Sequence, residues 1–154
     1  GGVPVTLLIA GREGSSSSDL RQELERLGRD RGRIHILGYR TDISDLVAIS
    51  DIFAFPSYYE GLGSALIEAM AGSLPIVASD IGPIREVLDD GRAGVLVPPG
   101  DPLAFAEGIR SLIEDKAYAA QLGEAGHARF LSHYQLRSVV NDTLRMYERV
   151  LGDA

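Results

Sequence analysis

The chain has 154 residues, 45% of them apolar and 24% charged, with a formal net charge of −7 at pH 7 and no cysteine. That length suits one domain burying roughly 70% of the surface its unfolded chain exposes, and the absent cysteines exclude disulfides, thiolate metal sites and a thiol nucleophile. The negative charge argues against nucleic acid or an anionic membrane surface as the main partner, because both require clustered cations.

Thr6 to Ala10 is a continuous apolar run ended by Gly11, the pattern of a strand buried on both faces of a parallel sheet. No segment approaches the roughly 18 apolar residues of a membrane span, and Val3 to Ala10 is too short for a signal peptide and lacks a basic lead. A loop follows, G-R-E-G-S-S-S-S, and Asp19 with Gln22 three residues later marks a helix start running to about Arg31. Ile34 to Leu37 repeats the strand pattern, Thr41 to Ser50 has apolar residues at helical spacing, and Ile52 to Phe55 is a third strand. Ser64 to Ala71 has helical composition, Pro75 to Ala78 reads as a strand, Ile84 to Leu88 as a short helix, and Gly94 to Val97 as a last strand closed by Pro98-Pro99-Gly100. From Asp101 onward the pattern is helical only: one helix to about Glu114 with Pro102 in its first turn, then Tyr118 to Ser132 and Leu136 to Leu151. Five strands alternating with helices predict an α/β fold, a parallel sheet with helices on both faces that binds ligands at the carboxyl ends of its strands.

One such end carries the densest pattern, P-S-Y-Y-E-G-L-G-S-A-L-I-E-A-M-A-G-S-L-P-I-V-A-S over Pro56 to Ser79, with Glu60 and Glu68 eight residues apart. With ten glutamates in the chain that spacing alone is weak; the glycines at 61 and 63, the strand before and the helix after give it meaning. The rise from Ser64 to Glu68 is about 6 Å and helical side chains lean toward the N-terminus, so the Glu68 carboxylate can reach back along a ligand at the helix mouth. A carboxylate accepts two hydrogen bonds and suits a diol. The amides of Gly61 to Ala65 and the helix dipole favour an anion there.

This string, continued by D-I-G-P-I-R-E-V-L-D-D-G-R-A-G-V-L-V-P-P-G-D, resembles the donor-binding half of retaining GT-B glycosyltransferases, family 4 in particular. The resemblance covers nearly the whole chain and implies the Rossmann-like C-terminal half of a GT-B fold followed by C-terminal helices. It implies a nucleoside-diphosphate sugar as donor, an acceptor hydroxyl on a glycan, lipid or small molecule, no cofactor and no metal. It implies that Glu60 contacts the transferred sugar as the catalytic carboxylate and that Glu68 holds the ribose hydroxyls. Gly61, Leu62, Gly63 and Ser64 would line sugar and diphosphate, and Gly38, Tyr39 and Arg40 would form the turn that reads the base. Leu62 stands where the family usually has Phe, and Ser64 where it has an aliphatic residue, which leaves the identity of the sugar open.

The resemblance further implies that residues 1–154 form one donor-binding domain whose first strand and helix, with the cations that neutralise the leaving diphosphate, would precede Gly1. The N-terminal acceptor domain would lie outside the chain as well. The first strand of such a sheet is central, so a gap, direct pairing across it, or contact with another chain is expected. The isolated chain is expected to be inactive. A cytoplasmic location is expected, with a peripheral membrane location open for the full-length protein.

Rival readings stand beside these. Glu60 and Glu68 could be ordinary helix charges, Gly38 to Thr41 a plain turn with Thr41 as helix cap, and Tyr58 and Tyr59 covers for the core. Arg12 and Arg40 are candidate phosphate cations among 14 arginines, for which a solvated role is the alternative. His35, His127 and His133 have no metal spacing and read as structural or exposed. Asn141-Asp142-Thr143 matches a glycosylation acceptor but falls inside a predicted helix. A nucleotide-sugar epimerase of GT-B type and a non-catalytic nucleotide-sugar binding module are the alternative functions, while the absence of a dinucleotide fingerprint or phosphate loop disfavours NAD enzymes and P-loop NTPases.

Overall fold

Short apolar runs become strands wherever glycine, proline or a polar cluster brackets them: β1 (Leu7–Ala10), β2 (Ile34–Gly38), β3 (Phe53–Phe55), β4 (Ile76–Ser79) and β5 (Val95–Val97). The computed structural model describes residues 4–12, 14 and 17–152. Glu13, Ser15 and Ser16 of the expected serine loop lie outside the described residues. The chain divides into two compact units, Gly1–Ile43 and Ser44–Ala154.

In the first unit β1 pairs in parallel with β2, and the required crossover is supplied by α1 (Ser17–Arg26) and a 3-10 turn over Gly28–Arg33. The helix stops short of the expected Arg31 because glycines at 28 and 32 weaken helical propensity. Leu7 faces Ile34 and Ile9 faces Ile36, so one face of this pair is wholly apolar. Leu7 is nonetheless 42% exposed and Ile36 50%, which corrects the expectation of a strand buried on both faces: among the described residues β1 has one hydrogen-bonded neighbour.

The second unit holds a three-stranded parallel sheet of order β3-β4-β5, each strand joined to the next by one helix: α3 (Ser64–Ala71) and α4 (Gly82–Val87). The helix before it, α2, spans Ile43–Ala48. All four residues of β4 are buried, and strand alternation sends them to opposite sides. Ile76 and Ala78 pack with Leu66 and Met70 of α3 and Ile84 of α4, whereas Val77 packs with Leu112 and Leu122. Helices therefore cover both faces. The five strands form two parallel sheets instead of one, so among the described residues no strand pairing crosses from β1 and β2 to β3, β4 and β5.

The C-terminal helices are α5 (Pro102–Glu114), α6 (Lys116–Arg129) and α7 (Leu136–Gly152), with a π turn at Phe130–Tyr134 between the last two. Asp101 caps α5 by accepting from the Leu103 and Ala104 amides at 3.0 Å, with Pro102 in the first turn as expected. Asp115 caps α6 by accepting from the Tyr118 amide at 2.9 Å, which starts that helix two residues earlier than its apolar spacing predicts. Arg129 of α6 closes the other end of α4, donating from Nε to the Val87 carbonyl at 2.8 Å and from Nη2 to the Glu86 carbonyl at 2.7 Å. The Glu86 carbonyl also accepts from the Asp89 amide at 3.2 Å, and the guanidinium adds a cation at the C-terminal end of the helix.

Beyond α4 the chain turns through Asp89 and Asp90, both left-handed at φ 51 and 54. The Asp89 carboxyl is held below the usual carboxylate range, first by a hydrogen bond from Arg92 and further by the charges of Arg129, Arg92 and His133. Its contribution to stability is complete above the ordinary carboxylate range and is lost as pH falls through the depressed value. Asp89→Asn keeps a residue that tolerates the left-handed turn while removing the charge. A urea titration should find the two proteins converging in stability toward pH 2 and separating toward neutrality, the unaltered protein being the more stable.

Gly123 of α6 lies so close to the turn after α3 that a Cβ built on it would stand 2.3 Å from the Ser73 carbonyl oxygen. Gly123→Ala forces two backbones apart and should lower unfolding free energy by about 1–3 kcal/mol, the usual range for overpacking. Thermal or urea denaturation measures it directly.

Candidate functional site

Glu60 stands in the loop that leaves the carboxyl end of β3, half-buried, and its Oε1 accepts a 2.9 Å hydrogen bond from Ser57 Oγ. The bond spans three residues, so the loop itself orients the carboxylate. Ser57 is a site residue that sequence reading missed; its one signal was a hydroxyl three positions before the glutamate. Among the described residues neither Glu60 nor Glu68 forms an ion pair, so both keep lone pairs available to a ligand.

The helix α3 begins immediately after Gly63, which is buried and left-handed at φ 69, ψ 61. No side chain caps this end. The Gly63 carbonyl accepts from the Leu66 amide at 2.9 Å and the Ile67 amide at 3.3 Å, leaving the Ser64 and Ala65 amides without a partner among the described residues. An uncapped helix mouth with free amides is a place where an acceptor or anion is stabilised. Glu68 sits four residues further along, exposed, on the helix face opposite the buried Leu66, Ala69 and Met70. Leu62 and Ser64 are exposed, Leu62 at 59%, and Gly61 is exposed too. Thus the second unit brings together Glu60, Gly61, Leu62, Gly63, Ser64 and Glu68 around one strand end and one helix start.

Tyr58 and Tyr59 cover no core: they are 64% and 93% exposed. Tyr58 lies against the Gly100 turn, where a Cβ would come within 3.0 Å of its hydroxyl.

Gly38, Tyr39 and Arg40 belong to the first unit, at the carboxyl end of β2. The Gly38 carbonyl accepts from the Gly11 amide at 2.9 Å, tying the ends of β1 and β2 together. The Arg12 guanidinium lies 4.6 Å from the centre of the Tyr39 ring, and the ring remains 63% exposed. Arg40 is bidentate to Asp42, Nε to Oδ1 at 2.8 Å and Nη2 to Oδ2. The hydrogen bond from Arg40 holds the Asp42 carboxyl below its usual range, and Asp42 in turn raises the Arg40 pKa. The helix after it starts at Ile43, which leaves Thr41 short of the cap position.

Of the histidines, His35 and His133 are exposed, and His127 is half-buried with its Nδ1 3.0 Å from the Ala71 carbonyl oxygen. No group of three or more His, Cys, Asp or Glu able to hold a metal occurs among the described residues. No helix among them is long and apolar enough to cross a membrane. Asn141, Asp142 and Thr143 lie inside α7.

A family model described as "Glycosyl transferases group 1" matches residues 2–115. Curated relatives include an alpha-maltose-1-phosphate synthase of Mycolicibacterium smegmatis, 37% identical over 114 residues that make up 70% of this chain and 30% of the relative. A phosphatidyl-myo-inositol mannosyltransferase of Mycobacterium leprae is 34% identical over 95% of this chain and 38% of its own length. Among solved structures, HepE of Anabaena in complex with UDP superposes with a TM-score of 0.83 at 29% identity, covering 96% of this chain and 41% of HepE. Sucrose-phosphate synthase of Thermosynechococcus elongatus gives 0.78 at 27% identity over 97% and 39%. The chain thus spans about a third of the length of the curated relatives it matches.

Two measurements check this geometry. Gly63→Ala puts a Cβ into a left-handed position 3.5 Å from the Phe55 ring and should cost about 1–2 kcal/mol of stability, read by chemical denaturation. In an NMR titration the Asp42 carboxyl should titrate below the ordinary carboxylate range, and Arg40→Ala should move it back up.

Proposed function

Given that the chain belongs to the group 1 glycosyltransferases, we propose that it is the donor-binding part of a retaining, metal-independent enzyme. The reaction moves a sugar from a nucleoside-diphosphate sugar to an acceptor hydroxyl: the bond from the anomeric carbon to the diphosphate breaks and a bond to the acceptor oxygen forms. The observation that carries this reading is the uncapped mouth of α3, flanked by the Ser57-oriented Glu60 and backed one helical turn later by Glu68.

Glu60 accepts hydroxyl hydrogen bonds from the sugar being transferred, and its tether to Ser57 limits the reorganisation that sugar binding demands. Glu68 accepts from the ribose diol. The free amides of Ser64 and Ala65, with about half a positive charge from the helix dipole, meet the diphosphate or a sugar hydroxyl. Gly61 and Leu62 line the sugar edge. In the first unit the side chain of Arg40 is engaged with Asp42. The ligands named for a solved neighbour, UDP and UDP-glucose in complex with HepE, support a nucleotide sugar as ligand. No cofactor is needed for this chemistry, and the acceptor domain lies in the remainder of the protein.

Calorimetric titration of the intact protein with UDP-, GDP- and ADP-sugars tests the reading, and binding of none of them would refute it. Glu68→Ala should weaken nucleotide binding by about 1.5–3 kcal/mol, the range for hydrogen bonds to a charged group. Glu60→Ala should abolish sugar transfer while leaving affinity for the free nucleoside diphosphate nearly unchanged. Unchanged nucleotide affinity in the Glu68 variant, or turnover in the Glu60 variant, contradicts the assigned division.

A further inference from the structure

The helix that carries Glu68 ends in a left-handed cap built without glycine. Ser73 sits at φ 57, its amide donates to the Met70 carbonyl at 3.1 Å, and the Leu74 amide donates to the Ala69 carbonyl at 3.1 Å. This pair of bonds satisfies two of the terminal carbonyls of α3. The Gly72 amide serves Glu68 at 3.1 Å. That leaves Ala71, whose carbonyl would bond in a continuing helix to the amide four residues on. The chain has already turned away at Ser73, and the residue four on is Pro75, which has no N–H.

His127 fills that vacancy from another element. Its Nδ1 lies 3.0 Å from the Ala71 oxygen, across 56 residues of sequence. A carbonyl oxygen only accepts, so Nδ1 must carry the proton. The ring is half-buried and lies 6.2 Å from that of Phe130, centroid to centroid. Two glycines on the same stripe of α6 complete the seat: Gly123 against the Ser73 carbonyl, and Gly126 against Met70, where a Cβ would stand 3.6 Å from Cγ. The helix α6 is thus backed onto the end of α3 by close backbone approach, and among the described residues His127 supplies the side-chain hydrogen bond across that contact.

We propose that His127 is a positioning residue for the donor site: its Nδ1–H anchors the C-terminal end of α3 and so fixes the helix whose other end presents the Ser64 and Ala65 amides and whose middle presents Glu68. The proposal rests on the donor-site reading above. An eight-residue helix has little stability of its own, so its orientation comes from what holds its ends.

The test compares His127→Leu, which removes the donor, with His127→Asn, whose side-chain amide nitrogen occupies nearly the place of Nδ1. Three readouts are taken on the intact protein: imidazole nitrogen shifts, amide hydrogen exchange along α3, and calorimetric affinity for UDP. The unaltered protein should show a protonated Nδ1. His127→Leu should speed exchange at the Gly72, Ser73 and Leu74 amides and weaken UDP binding by about threefold to fivefold, the equivalent of one net hydrogen bond of about 1 kcal/mol. His127→Asn should restore both. A neutral ring with a bare Nδ1, unchanged exchange in the Leu variant, or equal behaviour of the two variants overturns the anchor. Faster exchange with unchanged UDP affinity overturns its bearing on the donor site. If the unaltered protein binds UDP and all the nucleotide sugars not at all, the donor-site reading falls and the positioning role with it, while nitrogen shifts and exchange still decide the anchor.

Discussion

Everything in the second unit turns on how a helix of eight residues is held still. Isolated helices shorter than about 12 residues are marginal in water, so α3 exists because its surroundings leave it no alternative. Leu66, Ala69 and Met70 are fully buried against Ile76 and Ala78, which anchors one side to the central strand. Gly63 sets the entry angle, the left-handed Ser73 sets the exit, and α6 closes over the end. Each is a local backbone demand, and together they make a rigid support from a short segment.

The strands were legible because apolar runs in a parallel sheet need no alternation and are cut by recognisable punctuation. Their ends fall within one or two residues of expectation. Partnership among strands is a non-local property, and the division into two sheets could not be read from patterning. The exposure of Leu7 and Ile36 belongs to the same class: the residues are apolar, and what would cover them is not written in their spacing. Boundaries set by side-chain caps were read unevenly. Pro102 after Asp101 announced α5 plainly, whereas Asp115 was overlooked because its capping role depends on the turn that precedes it.

At the site, the residues themselves were legible and their supports were not. Glu60 and Glu68 stood out through the glycines and the helix between them. Ser57 makes a contact three residues away, which any loop serine could make, so its type alone does not announce it. The engagement of Arg40 with Asp42 was equally local and shows why an arginine count says little about which cations are free. His127 had read as structural or exposed, and it is structural, at a place that only the packing of α6 reveals.

The exposed tyrosines have an optical consequence. The chain has six tyrosines and no tryptophan, so its ultraviolet emission comes from phenol rings alone. Two of the six, Tyr58 and Tyr59, stand in the Glu60 loop, open to solvent at 64% and 93%, and a third, Tyr39, is open at the end of β2. A molecule settling at the carboxyl end of β3 therefore changes the surroundings of two of the six fluorophores. The loop carries its own label.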